Sequence, residues 1–262
     1  MTRQPAFFIP HGGGPCFFMD DPRGVWTGME SFLCTLPNRL PETPAAILVV
    51  SGHWETDGFA FTGAARPGLI YDYYGFPPHT YELRFDAPGA PWLAKEAAAL
   101  LTEAGLKAHV DAERGLDHGV FVPLKVAFPD ADVPVVEMSV ERNLDPARHL
   151  AAGRALAPLR DRGVLILGSG MSFHNMRAYG DPRFTEPSMA FDRWLTAAVE
   201  APDDARAEAL ARWADAPAGR LSHPQEEHLL PLMVAAGASV KPGERVFGEK
   251  VMETAISGFR FD

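Results

Sequence analysis

Residues 44–55 read PAAILVVSGHWE, and this stretch decides the fold. The aliphatic run Ile47 to Val50 has no polar face, which predicts a central strand covered on both sides. The run ends in Ser51-Gly52 and delivers a histidine, His53. The same grammar occurs twice more. Ala6 to Ile9 leads to His11 and Gly12-Gly13-Gly14, while Val164 to Leu167 leads to Gly168-Ser169-Gly170 and then His174. Val133 to Val136 is a fourth run of this kind. Between the runs lie Ala-rich segments of helical character, Trp92 to Ala104, Pro146 to Leu159, Met189 to Glu200 and Ala205 to Ala214. Strands alternating with helices predict an α/β chain, a single three-layer α/β/α domain over residues 1–262 with a mixed sheet that is parallel at its centre. YELRF (Tyr81 to Phe85) alternates with period two, and the tail from Arg245 to Phe261 is placed to supply edge strands.

Outside these runs the composition is that of an ordinary globular chain, 47% hydrophobic and 22% charged over 262 residues. No apolar stretch approaches the ~18 residues of a membrane span, and the N-terminal AFFI lacks the flanks of a secretory signal, so a cytoplasmic location is expected. Two cysteines, Cys16 and Cys34, argue against a disulfide framework. The balance of 24 Lys+Arg against 34 Asp+Glu gives −10, the wrong sign for nucleic acid or an anionic membrane. A small-molecule partner is expected, with the chain a monomer or a small homo-oligomer.

In open α/β sheets the ligand crevice lies beyond the carboxyl ends of the strands, so His11, His53 and His174 are expected to converge there. A further histidine comes from SHPQEEHLLPLMVAAGA (residues 222–238). Ser222 with Gln225 reads as a capping box, Pro224 as a first-turn residue and Gly237 as the end of a buried helix. His228 then sits in the second turn, and Pro231 is expected to kink the helix. His118, in GLDHGVFVPL, is expected in a loop entering an apolar segment. A lone histidine behind a strand is more often a hydrogen-bonded core residue than a ligand, but the repetition argues for a site. GGGP carries neither the P-loop lysine nor a dinucleotide spacing, and Ser169 lacks the G-x-S-x-G of a nucleophile elbow. Trp54, Trp92 and the aromatics between Tyr71 and Phe76 read as core or pocket wall, and Cys16 as a buried small residue. His109 and His149 read as solvated, and His79 as lining a pocket mouth.

HGGGP, SGHWE, YDYYGFP, the APG after Tyr81, RGLDHGVFVPL, GSGMSFHNMR and HPQEEHLLPL occur in the order found in DOPA-type extradiol dioxygenases. The chain thus resembles the class III extradiol ring-cleavage superfamily, which includes the catalytic subunit of protocatechuate 4,5-dioxygenase. The resemblance runs from His11 to the segment of His228. It implies a non-haem Fe(II) enzyme that opens a catechol ring beside one hydroxyl with O2 and no organic cofactor. It implies His11, His53 and His228 as metal ligands, His174 as acid/base, and His118 as a residue beside substrate and oxygen. In the protocatechuate branch the third ligand is a glutamate. Here His228 stands at that place, with Glu226 and Glu227 beside it as the alternative carboxylates. His223 matches a histidine that often precedes the third ligand, and it joins Arg177, His79 and Tyr74 as substrate-facing candidates, with Arg84 and Tyr71 behind them. Arg177 heads that group because a guanidinium fork matches a carboxylate.

Three imidazoles on one face suit Fe(II) and leave positions for substrate and O2. They also suit Zn(II), so zinc is expected to compete for the site. Two other readings stay open on the sequence. One is a zinc hydrolase with His174 or a glutamate as base. The other is a non-catalytic metal-binding relative, since fold alone does not settle function.

Overall fold

The computed structural model describes residues 2–262. Its strands are β1 (Ala6–Pro10), β2 (Ala46–Thr56), β3 (Phe59–Thr62), β4 (Ala108–Asp111), β5 (Val135–Glu141), β6 (Val164–Gly170), β7 (Glu244–Val251) and β8 (Thr254–Phe261). Its helices are α1 (Thr27–Thr35), α2 (Pro91–Glu103), α3 (His118–Ala127), α4 (Pro146–Leu156), α5 (Thr185–Val199), α6 (Asp203–Ala211), α7 (Gly219–Ser222) and α8 (Leu230–Gly237). The strands form one sheet of order β4-β3-β5-β2-β6-β1-β8-β7. The central four, β5, β2, β6 and β1, run parallel. The β7–β8 hairpin adds antiparallel to β1.

Side chains that alternate along each central strand separate into two cores. Phe8, Leu48, Val50 and Ile166 face α2, α4, α5 and α8. Phe7, Ile9, Val49, Leu165 and Leu167 face α1 and α3. Burial on both faces is why β1 and the first halves of β2 and β6 are apolar at every position rather than at every second one. The expected three layers and mixed sheet are therefore present, and the tail supplies the edge hairpin.

Five local expectations differ. YELRF is no strand: Pro77 and Pro78 lead into a 3-10 turn, Pro78–Glu82, and a proline cannot donate to a sheet ladder. Tyr71 and Tyr73 donate instead to the carbonyls of Leu83 and Thr80, both at 2.5 Å. The helix expected to carry His228 begins only at Leu230, with Pro231 in its first turn. Pro231 opens the helix there rather than kinking it. Ser222 Oγ has no partner, so no capping box forms. His149 is fully buried rather than solvated, with the edge of its ring against Phe59. Its Nδ1 donates to the Asp145 carbonyl at 2.7 Å and its Nε2 accepts from the Glu141 amide at 3.1 Å.

Both His149 nitrogens are satisfied only in the neutral tautomer, and burial lowers its pKa to about 4. A depressed folded-state pKa means stability that is whole above the unfolded value near 6.5 and drains as pH falls toward 4. At about 1.4 kcal/mol per pKa unit, the full loss is about 3 kcal/mol. Urea melts of the wild type and His149→Gln should converge by roughly that amount between pH 7 and pH 4. A constant offset between the two would remove His149 as an acid-labile element.

Candidate metal centre and cleft

Five histidines meet at the carboxyl ends of the parallel strands. His11 follows β1 directly, its amide donating to the Gly170 carbonyl at 3.1 Å. His53 lies within β2, where the register with β5 shifts between Ser51 and Glu55. His118 is the first residue of α3 rather than a loop residue. The His174 amide donates to the Ser222 carbonyl at 2.9 Å. His228 lies in the turn before α8, and its carbonyl accepts from the Met171 amide at 3.1 Å.

Glycines make this segment possible. A Cβ on Gly52 would sit 2.6 Å from the Glu227 carbonyl oxygen, and one on Gly168 or Gly170 would overlap the carbonyl oxygens of Pro231 and His228. The bare backbone after Ile47 to Val50 and Val164 to Leu167 is thus the bed on which residues 227–231 lie, whereas Gly12 and Gly14 pack against Cys16 and Phe76.

The rings are close. His11–His53, His11–His228 and His53–His228 centroids are 5.1, 5.2 and 4.6 Å apart. His118 lies 4.0 Å from His53, and His174 stacks on His228 at 3.5 Å with a 19° interplanar angle. By mutual proximity of donor atoms alone, two groups stand out: His11, His53 and His118, and His174, Glu227 and His228. The three histidines expected as ligands draw from both.

The chemistry of the donors fits a cation. His11 is buried with neither ring nitrogen hydrogen-bonded. His228 Nδ1 donates to Glu227 Oε1 at 2.8 Å, so its Nε2 carries a lone pair, and that Nε2 lies 3.2 Å from His53 Nε2. Two bare nitrogens at that distance need a proton or a metal between them. Burial and then the neighbouring imidazoles hold the His11 pKa well below its usual value, and the same causes bring His53 to about 4. His228 is likewise lowered by burial, against the pull of Glu227. Neutral imidazoles at neutral pH are the form that ligates.

Two carboxylates flank the rings. Asp72 Oδ1 accepts from His118 Nδ1 at 2.8 Å and from the His118 amide at 3.0 Å, while Asp72 Oδ2 is 3.7 Å from His53 Nδ1. Glu227 Oε1 faces His174 Nδ1 at 3.2 Å as well as His228. Burial pushes the Glu227 carboxyl up, but the hydrogen bonds from His174 and His228 prevail and hold it well below the usual range. Glu226 pairs instead with Arg220 at 2.6 Å. Asp72 was missed in the sequence because it lies within the aromatic YDYY, which reads as wall.

The histidines open onto a cleft of about 580 Å³ walled by Trp26, Tyr73, Phe76, Met171, Met176 and Met252, with no lysine or arginine on its walls. Tyr74 stands on its rim, 90% exposed. An adjoining groove of about 600 Å³ shares His174 and Met176 with the cleft and carries Arg177 and Arg220. The other candidates lie elsewhere. His79 is exposed, its Nε2 3.0 Å from the Phe18 carbonyl. His223 is fully buried between Phe191 and Trp213 and bonded to the Ser172 carbonyl at 3.0 Å. Burial lowers its pKa to about 3. Arg84 is exposed and paired with Asp86.

Residues 5–258 match the family model of the catalytic LigB subunit of aromatic ring-opening dioxygenase. A dioxygenase of Hapsidospora irregularis is 41% identical, the match covering 91% of this chain and 79% of that one. The 4,5-DOPA dioxygenase extradiol of Beta vulgaris is 40% identical over 89% of this chain and 86% of its own. The Escherichia coli K12 protein of the same name is 36% identical over 90% and 86%. The crystal structure of an uncharacterized Escherichia coli K12 protein superposes with a TM-score of 0.78 at 28% identity, covering 99% of this chain and 100% of that one. Among the described residues no helix is long and apolar enough to cross a membrane.

Proposed function

Because the chain belongs to the family of catalytic LigB subunits of aromatic ring-opening dioxygenases, and is an extradiol ring-cleavage dioxygenase, we propose that residues 1–262 form one catalytic domain that opens a substituted catechol using Fe(II). The substrate would be DOPA, the compound named for the relatives, or a caffeate-like acid or another ring of this class. The observation that carries the reading is the convergence of five histidines at the floor of an apolar cleft, with neither ring nitrogen of His11 hydrogen-bonded and the Nε2 atoms of His53 and His228 3.2 Å apart. His11, His53 and His228 would hold the ion. When bound, Fe(II) supplies positions for both catechol oxygens and for O2, and it lowers the pKa of a hydroxyl it touches.

The chain's own residues do the rest. Tyr73, Phe76 and Trp26 exclude water and confine a planar ring against the histidines. His174 and His118 each donate Nδ1–H toward a carboxylate, so each turns a bare Nε2 to the cleft. His174 takes the catechol proton on that nitrogen and later returns it, a shuttle imidazole performs near neutral pH. Zn(II) competes for the same imidazoles, and protein as isolated is expected to carry some zinc.

The test is O2 uptake and visible absorbance with a panel of catechols after anaerobic Fe(II) reconstitution, beside zinc-loaded protein. Uptake with a coloured product, confined to the iron-loaded protein, is the expected result. Turnover by the zinc-loaded protein, or none with iron at verified occupancy, would sink the iron assignment.

Arg177 carries the substrate preference in this reading. It lies one groove away from the catechol, and only its backbone amide is engaged, by Asn175 Oδ1 at 3.1 Å. A charge-assisted hydrogen bond is worth about 1.5–3 kcal/mol, so Arg177→Ala should cut the preference for an acid over its methyl ester roughly 10- to 100-fold at unchanged metal content. An unaltered ratio removes Arg177 from that role.

A further inference from the structure

We infer that Asp72 and Glu227 are positioning residues, each fixing one metal-site histidine and one further cleft histidine so that Nε2 of both faces the cleft. The inference rests on the ring-opening reading for the roles of those histidines, but its geometry is independent of it.

An ionised carboxylate only accepts hydrogen bonds. Glu227 Oε1 lies 2.8 Å from His228 Nδ1 and 3.2 Å from His174 Nδ1, so both Nδ1 atoms carry hydrogen and both Nε2 atoms carry lone pairs. Sharing one oxygen also brings the two rings into register, which is the stacked pair at 3.5 Å and 19°. Asp72 repeats the device from a different loop. Its Oδ1 binds the ring and the backbone amide of His118, fixing both the tautomer and the start of α3. Its Oδ2, 3.7 Å from His53 Nδ1, favours the Nδ1–H form of His53 by charge. Each carboxylate therefore joins a ligand to a second cleft histidine, which for Glu227 is the proton carrier His174. His11 has no such partner, which sets it apart as the ligand whose orientation comes from burial alone.

Carboxylates behind metal-bound histidines orient the ring and raise its basicity, and their loss costs 10- to 100-fold in metal affinity or activity. Here the same carboxylate also orients the base, so its loss should reduce kcat beyond the loss in metal occupancy. This coupling is what separates a positioning role from a merely structural one.

The experiment uses the full chain with 15N-histidine, as wild type, Asp72→Ala, Asp72→Asn, Glu227→Ala and Glu227→Gln. Long-range 1H–15N spectra of the metal-free protein at fixed pH report each ring's tautomer. Chelator competition reports zinc affinity, and iron-loaded turnover at saturating metal separates kcat from KM. We expect Nδ1–H tautomers for His118, His174 and His228 in the wild type. Glu227→Ala should lose the tautomer at His174 and His228, bind zinc 10- to 100-fold more weakly and lose at least tenfold in kcat with KM within threefold. Asp72→Ala should do the same at His118 with a smaller effect on zinc, because its contact with His53 is longer. The isosteric Asn and Gln variants keep the fold and an acceptor oxygen, so they should recover part of each loss. Unchanged tautomers together with zinc affinity within threefold in both alanine variants would overturn the inference. The expected tautomers in the wild type and zinc losses in the alanine variants, together with an iron-loaded wild type that opens no catechol, would support the positioning role and overturn the ring-opening reading.

Discussion

His174→Ala should lower kcat for ring opening by 10²- to 10⁴-fold with iron content unchanged. That range is what a positioned general acid–base contributes to a proton transfer. Metal content should survive because His174 is not needed to hold His228. The His228 Nδ1 bond to Glu227 Oε1, at 2.8 Å, remains after the stacked ring is removed, and the His228 carbonyl stays on the Met171 amide. The variant also leaves Glu227 with one histidine partner fewer beside an Oε2 that already has none, so a modest stability loss accompanies it. His174→Gln controls for that, since it keeps a polar side chain but cannot shuttle a proton at neutral pH. Stopped-flow absorbance with metal analysis on the same samples provides the check. A kcat within tenfold of wild type in both variants would move the acid–base role away from His174, with His118 next in line.

The second large effect is expected at a residue with no functional group. Gly170→Ala places a methyl on the His228 carbonyl oxygen and 3.0 Å from the Phe8 ring. Neither can yield easily, because the carbonyl is hydrogen-bonded to Met171 and Phe8 is fully buried. Overpacking of this kind costs about 1–3 kcal/mol. For a chain of this size that is a fall on the order of 10 °C or less in Tm. The larger consequence is local. If the segment shifts to make room, His228 leaves its neighbours, and metal affinity should fall at least tenfold. Gly68→Ala, where the added methyl meets nothing within 4 Å, is the control and should leave both quantities unchanged. Thermal melts and chelator competition on the two variants decide it. Wild-type metal affinity in Gly170→Ala would mean that the crossing segment tolerates displacement.

Much of the fold was legible because burial on both faces leaves a plain trace. Ile47 to Val50 and Val164 to Leu167 are apolar throughout, and both are central parallel strands. β3 and β4 were not read because they are four residues each and border turns. β5 was read at Val133 to Val136 but runs from Val135 to Glu141, where Glu137, Ser139 and Glu141 are buried polar residues. Burial of Glu137 and Ser139 rests on partners far away in the chain, the Asp117 amide donating to Glu137 at 2.9 Å and the Thr56 hydroxyl lying 2.6 Å from that of Ser139. Of the three readings left open, family membership selects the ring-opening enzyme over the hydrolase and the non-catalytic relative.

The sequence by itself determined that histidines follow the strand ends, because that spacing is local and the carboxyl edge of a parallel sheet is a single place. Only the tertiary structure decided which of them gather and how each is oriented. His149 reads as solvated and His223 as substrate-facing, yet both end in the core, His149 with both ring nitrogens hydrogen-bonded and His223 bonded through Nε2 alone. The place where the turn of residues 227–229 and the start of α8 lie against the sheet is likewise opened by glycines 52, 168 and 170, far away in sequence. Asp72 gained its role in the same way, through contact with His118, 46 residues later. A side chain's tautomer and direction follow from its nearest neighbours in space, and those neighbours come from parts of the chain that no local pattern connects.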